Sequence, residues 1–335
     1  MKLSILDQSP ISYGHTPQQA LNASMELAKA GERLGYERYW IAEHHNFSGL
    51  TCSAPEVMLG VIGASTKSIR IGAGAVLLPH YKPYRVAETF NMLATLFPDR
   101  IDLGIGRAPG GSAEASMALS DNYLEQVRRM PASIKELLHF LYNDFPADHM
   151  FSKVSASPVP KKSPDPWILG TSEKSAVSAA ENGVAYAFGH FMSDKPGQQL
   201  LETYRDHFQP GRILKTSKSI VAVSVVCAET TEKASELALP VLFWRMQNQQ
   251  GEGGKGVPSI EDAKSYCSME KWSEIINESK DKMIIGTPNH VKEELLKLQE
   301  RYNTDEMMIV TTTHRYEDRI RSYELLAEEM INKPN

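Results

Sequence analysis

The chain has 335 residues, 41% hydrophobic and 23% charged, long enough for one large domain or two ordinary ones. Its 36 lysines and arginines stand against 41 acids, and a net charge of −5 offers no global basic field to nucleic acid or anionic lipid. Three scattered cysteines (Cys52, Cys227, Cys267) lack C-x-x-C spacing, the first apolar run is too short for a signal peptide and no window reaches membrane length. A reducing, cytoplasmic setting is therefore expected, without a disulfide framework or structural zinc.

Leu3–Leu6 reads as a first strand ended by Asp7-Gln8-Ser9-Pro10. Thr16-Pro17 opens a helix whose Ala20, Leu21, Ser24, Leu27, Ala28, Gly31 and Leu34 recur at 3-4 spacing until Gly35 closes it. Tyr36–Asn46 follows at once. Its front half is aromatic and aliphatic, as in a buried parallel strand, and it ends abruptly on Glu43-His44-His45-Asn46. The pattern repeats: a helix over 54–64, a strand over Ile69–Leu78, a helix over Val86–Leu96 and a strand over Arg100–Arg107. Leu124–Leu141 is a longer helix with Pro131 inside it, and Asp144–Pro166, with five prolines, is an excursion outside the repeat. Then come a strand at Trp167–Gly170, a helix at Ser175–Asn182 capped by Gly183, a strand at Ala185–Met192, a helix at Leu200–Phe208 and the clearest strand of all, Ser219–Ala228. Thr231–Gln249 is helical, Gln250–Pro258 carries four glycines, and a helix at His290–Arg301, a strand at Met307–Thr312 and a helix at Arg315–Ile331 close the chain.

Eight strands alternating with helices predict an α/β fold with a parallel sheet. We expect a (β/α)8 TIM barrel in one domain spanning 1–335, with an insertion at about 143–166 and a mobile lid at about 247–270; an open doubly wound sheet fits the same periodicity. In a barrel, chemistry sits at the C-terminal ends of the strands. Strand alternation keeps His44 and His45 from facing one lumen together, which disfavours a metal site and leaves one imidazole for proton transfer near neutral pH. The three polar residues could equally satisfy one another. Gly72-Ala73-Gly74-Ala75 marks either a flat ligand close to the backbone or tight strand packing. Leu103–Gly111 fails as a dinucleotide fingerprint, since its third glycine is one position late and Pro109 interrupts it, so it is read as a strand end presenting Arg107. Gly170-Thr171-Ser172-Glu173-Lys174-Ser175 enters a helix and suits either a phosphate or ordinary N-capping.

Together these stretches resemble the bacterial luciferase-like, flavin-dependent monooxygenase family over nearly the whole chain, in the subgroup of single-polypeptide oxidoreductases. The resemblance rests on Leu6–Pro10, Trp40–Asn46, Ser53–Glu56, Val76–Tyr81, Arg100–Gly110 and Arg321–Ala327, in that order. It implies a TIM barrel binding FMN across its C-terminal mouth, with a cis non-prolyl peptide at Gly74–Ala75 against the flavin. His44 would be the active-site proton donor or acceptor, oriented by Glu43 and His45. Arg107 would stabilise the reduced flavin, and Gly170, Thr171, Ser172 and Ser175 would hold the phosphate. Light-producing relatives carry a reactive cysteine where this chain has Gly106, so bioluminescence is not implied. The resemblance further implies reduced FMN supplied by a separate flavin reductase, O2 and a small organic molecule as substrates, and a homodimer. Three other readings stand beside it: hydride transfer with a deazaflavin (F420), a non-catalytic flavin binder, and a metal-dependent barrel hydrolase.

Overall fold

The apolar runs that alternate with capped helices close on themselves. The computed structural model describes residues 1–250, 256–266 and 268–332. Its strands are β1 (Lys2–Asp7), β2 (Arg38–Ile41), β3 (Arg70–Leu77), β4 (Ile101–Gly106), β5 (Asp165–Gly170), β6 (Ala185–Gly189), β7 (Ser219–Cys227), β8 (Met283–Gly286) and β9 (Glu306–Val310). From β1 to β7 each strand pairs in parallel with the next, β7 pairs with β9, and β9 returns to β1. Eight strands thus form the closed ring of a (β/α)8 barrel, as expected. β8 was not legible beforehand; it is four residues long and pairs only with Ser224–Cys227 of β7, outside the ring.

The helices are α1 (Pro17–Leu34), α2 (Pro55–Ser65), α3 (Pro83–Leu96), α4 (Ala113–Leu119), α5 (Tyr123–Tyr142), α6 (Glu173–Glu181), α7 (Gly197–Asp206), α8 (Thr231–Gln249), α9 (Ile260–Tyr266), α10 (Met269–Ser279), α11 (Pro288–Tyr302) and α12 (Tyr316–Met330). α1 shows why their boundaries could be read. Thr16 and Gln19 form a reciprocal capping box, Pro17 sits where its missing N–H costs nothing, and Gly35 takes the left-handed conformation that ends the helix. α5 runs through Pro131. The excursion between α5 and β5 is tied to α3 and α5: Asn91 donates to the Ala156 carbonyl, and Phe145 and Phe151 pack on Phe140. α4, α9 and α10 were not anticipated.

The barrel interior is filled, not hollow. Leu6, Trp40, Ala42, Trp167, Ala185, Ala187, Ile220, Ala222, Met308 and Val310 form its apolar cluster, with the two indoles edge-on at 5.3 Å. The alternate strand residues, among them Ile5, Tyr39, Ile41, Ile71 and Ile309, pack outward against the helices. At the N-terminal end a buried ionic cluster forms the floor. Arg38 donates to Glu306 at 2.6 and 3.1 Å and to Asp102 at 2.6 Å, while Arg70 bridges Asp102 and Asp165 and the Trp40 indole also donates to Asp102. That end is the stabilising face of a barrel, and the site must lie at the other.

Candidate active site

β2 leaves the ladder earlier than expected, at Ile41 rather than Asn46. Ala42 N–H still donates to Asp7, but His44 N–H turns to the Cys52 carbonyl and His45 N–H to that of Gly110. The loop after β4 runs against this extension as an isolated parallel bridge between His45 and Gly111. Only glycine permits the approach: a Cβ at Gly111 would collide with the His45 carbonyl, and Gly110 has φ +71°. The glycines after Arg107 therefore serve backbone contact.

Among the described residues, neither Glu43 nor His45 hydrogen-bonds to His44, so the orienting role expected of them has no hydrogen bond behind it. Glu43 is buried and its carboxylate accepts from His45 Nε2 at 2.7 Å, from the Tyr81 hydroxyl at 2.8 Å and from the Leu77 amide at 3.1 Å. Burial, and then the Glu43 charge, raises the Tyr81 pKa. This trio ties β2 to β3. His44 lies three residues past the C-terminal end of β2 and two beyond Ala42, the last residue of this stretch in the interior cluster. Its Nδ1 is shielded from solvent and has no hydrogen-bond partner among the described residues. Burial foremost, and then the neighbouring His45, lowers its pKa from 6.5 to about 4, so the imidazole is neutral at pH 7. Phe47 lies 5.8 Å from the His44 ring and 6.3 Å from Trp244 of α8.

β3 supplies bare backbone. The Gly74–Ala75 peptide is cis, and the β3–β4 register shifts between Ala73 and Val76. The tight-packing reading of the small residues accounts for Gly72. Gly72 is a packing residue, for a Cβ there would lie 2.7 Å from Asp102 and 2.8 Å from Trp40. Gly74 and Gly106 lie higher, where a Cβ would meet Leu6 at 2.7 Å and Ala75 at 3.0 Å. Arg107 follows Gly106; it is exposed and forms no ion pair among the described residues. Its position is fixed from behind by Tyr123, which donates to the Arg107 carbonyl at 2.7 Å and stacks on His80 at 5.1 Å.

The β5–α6 turn is a capping box. Ser172 Oγ accepts from the Ser175 amide and the Ser172 amide donates to Ser175 Oγ, while Tyr186 donates to the Gly170 carbonyl. The capping reading thus accounts for both serine hydroxyls. The first amides of α6 have no intrahelical acceptor, and the half-buried Thr171 hydroxyl makes no hydrogen bond among the described residues. Of the expected lid, 251–255 and 267 lie outside the described residues. Its anchored end is described: Val257 exchanges backbone hydrogen bonds with Ile11 and Tyr13, and a Cβ at Gly256 would strike the Ile11 carbonyl.

Sequence reasoning missed Tyr81, His80, Tyr123 and Arg245. Tyr81 and His80 follow the third strand and could have been flagged as polar residues at a strand end; nothing in the sequence marked Tyr123 or Arg245. Among the described residues, no group of three or more His, Cys, Asp or Glu side chains is arranged to hold a metal, and no helix is long and apolar enough to cross a membrane.

A closed parallel barrel whose C-terminal mouth gathers a neutral histidine, bare strand backbone and an exposed arginine defines an α/β-barrel of enzyme type. The chain belongs to the luciferase-like monooxygenase family, whose model matches residues 1–305. It is 44% identical to the uncharacterized protein YwcH of Bacillus subtilis over 328 residues, covering 98% of each chain. It is 35% identical to the N-acetyl-S-alkylcysteine monooxygenase of the same organism over 333 residues, covering 99% of this chain and 98% of that one. The crystal structure of apo-MsnO8 superposes with a TM-score of 0.90 at 34% identity, covering 100% of this chain and 99% of that one. At 19% and 15% identity the fold is shared with the oxygenating constituent of 3,6-diketocamphane monooxygenase in complex with FMN (TM-score 0.73) and with an F420-dependent secondary alcohol dehydrogenase (0.65).

Proposed function

We propose that this protein is an FMN-dependent monooxygenase that uses reduced FMN and O2 to oxidise a small organic substrate. The observation that carries the reading is the set of residues at the C-terminal ends of β2, β3 and β4: the half-buried His44 with an unpartnered Nδ1, the bare backbone at Gly74–Ala75 and Gly106, and the exposed Arg107. These residues fit a flat, anionic cofactor. Arg107, the α6 amides and Thr171 would hold the phosphate, with Ser172 and Ser175 shaping the turn, and Gly74–Ala75 would face the ring. Bound reduced FMN supplies two electrons to O2, so that one oxygen atom enters the substrate and the other leaves as water.

The protein's own part is to bind, orient and protect. Arg107 places a fixed cation where negative charge accumulates. His44, neutral at pH 7, accepts or donates a proton at Nδ1 or Nε2 according to its tautomer. The Phe47–Trp244 contact covers one side of the mouth and helps exclude water.

The scattered cysteines fit a cytoplasmic setting, and reduced FMN would come from a separate reductase. Exposed Val57 and Val61 on α2 and Met92 and Leu96 on α3 give two adjacent helices an apolar outer face, which supports a homodimer through that face. The name of the 35% identical relative puts N-acetyl-S-alkylcysteines beside aldehydes in the first assay. His44→Ala should leave FMN binding nearly intact while substrate oxidation falls at least 100-fold; turnover that survives the substitution would refute the role given to His44.

A further inference from the structure

Among the described residues, every buried or half-buried arginine but one has a carboxylate or a backbone carbonyl against it. Arg38 has Asp102 and Glu306, Arg70 has Asp102 and Asp165, and Arg319 has Asp7. Arg100 gives its donors to three backbone carbonyls and the Thr66 hydroxyl. Arg245, near the C-terminal end of α8, is the exception. It is half-buried, its one hydrogen bond runs from Nη2 to Ser224 Oγ at 3.3 Å, and it makes no ion pair among the described residues. Burial lowers its pKa, and no counter-charge among the described residues offsets the effect. A guanidinium held away from water without an anion carries an uncompensated desolvation cost.

Its place in the barrel says what would repay that cost. Ser224 continues the inward alternation of Ile220 and Ala222 on β7, and it stands beside the inward-facing Val310 of β9. Val310 and Leu6 belong to the same interior cluster, and Leu6 is the residue that a Cβ on Gly74 would strike. Ser224, which holds Arg245, and Gly74 thus border one interior cluster from opposite sides of the ring. The preceding residue, Trp244, packs against Gly49 and Phe47, which ties this helix end to the loop carrying His44. Arg107 and the α6 N-terminus, assigned above to the phosphate, follow β4 and β5, three and two strands from β7 around the ring.

We propose that Arg245, steadied by Ser224, is the specificity residue that binds the anionic group of the substrate, a carboxylate engaged by the guanidinium fork, so that the enzyme acts on acids and not on neutral aldehydes. The proposal rests on the monooxygenase reading for the name of the reaction, but not for the binding it asserts.

The test compares wild type, Arg245→Met and Arg245→Lys. The probes are N-acetyl-S-methylcysteine with its amide, and 3-phenylpropionate with its amide, titrated calorimetrically with and without FMN. Wild type should prefer an acid to its amide. Arg245→Met should weaken acid binding about 10–100-fold, leave the amide and FMN affinities unchanged, and melt no lower than wild type, since an unpaired buried charge has been removed. Arg245→Lys should recover part of the acid preference. The proposal fails if wild type does not discriminate either acid from its amide, or if Arg245→Met leaves acid binding intact. A loss of FMN affinity would give the anion to the cofactor, and equal loss for acid and amide with a lower melting temperature would make Arg245 structural; either result also overturns it. The two readings separate cleanly. Acid binding that depends on Arg245 in a protein that oxidises none of the probes sinks the monooxygenase reading alone, and equal oxidation of acid and amide sinks the substrate class alone.

Discussion

Burial holds the His44 imidazole neutral, and that can be measured directly. The ring sits at the mouth with Nδ1 cut off from water and protein donors alike, and its pKa falls from 6.5 to about 4. A displacement of that size corresponds to roughly 3 kcal/mol against the imidazolium, so about one molecule in a thousand carries the charge at pH 7. The unfolded chain takes up this proton near pH 6.5, whereas the folded chain does not until about 4. Folded stability is therefore undiminished above pH 6.5 and drains away as pH falls from 6.5 toward 4. Imidazole Cε1–H resonances followed by NMR from pH 8 to 4, with His44→Asn to assign the signal, should show one histidine that does not titrate above about pH 5. The difference in melting temperature between wild type and His44→Asn should move against wild type over the same window. A His44 midpoint at or above 6.5 would refute the reasoning, because burial would then not control the ring.

Arg107→Ala should raise the FMN dissociation constant at least tenfold, read by quenching of flavin fluorescence, since a charge-assisted contact to the phosphate or ring is lost. Gly111→Ala forces a Cβ into the His45 carbonyl, so it should break the His45–Gly111 bridge, lower the melting temperature and impair activity well beyond what one methyl group suggests. Asp102→Asn leaves Arg38 and Arg70 short of their shared anion in a buried site, and urea unfolding should register a loss of about 3–5 kcal/mol. Burial works against the Asp102 charge, but Arg38 and Arg70 outweigh it and lower the pKa. That contribution is therefore present above about pH 4 and lost as pH falls through the depressed value, giving wild type a steeper acid unfolding limb than the variant. Val61→Glu, at the apolar α2–α3 face, should shift sedimentation toward a monomer if that face joins two copies.

Much of the barrel was legible because its elements follow local rules. Thr16-Pro17 and Gly35 bracket α1 by capping chemistry that acts over four residues, and the Ser219–Ala228 run is too long and too branched for anything but a buried strand. β8 hides because four residues have no period to read, and the end of β2 at Ile41 hides because the loop that peels it away, at Gly110, is distant in sequence. The site divides along the same line. Strand alternation separated His44 from His45, but it could not say that Glu43 takes His45, Tyr81 and the Leu77 amide and leaves His44 alone. Nothing in the sequence around Arg245 distinguishes it from a surface arginine. Its lack of an anion becomes visible only when α8 is laid across Ser224.

The monooxygenase assignment stands or falls on oxygen balance. Purified protein given reduced FMN, ¹⁸O2 and a panel of aldehydes and thioethers, carboxylate-bearing ones included, should yield a product carrying one ¹⁸O atom, with activity lost in His44→Ala and no turnover by reduced F420 under anaerobic conditions. Product formed anaerobically with F420, or oxygen consumed with no label in any product, would contradict it.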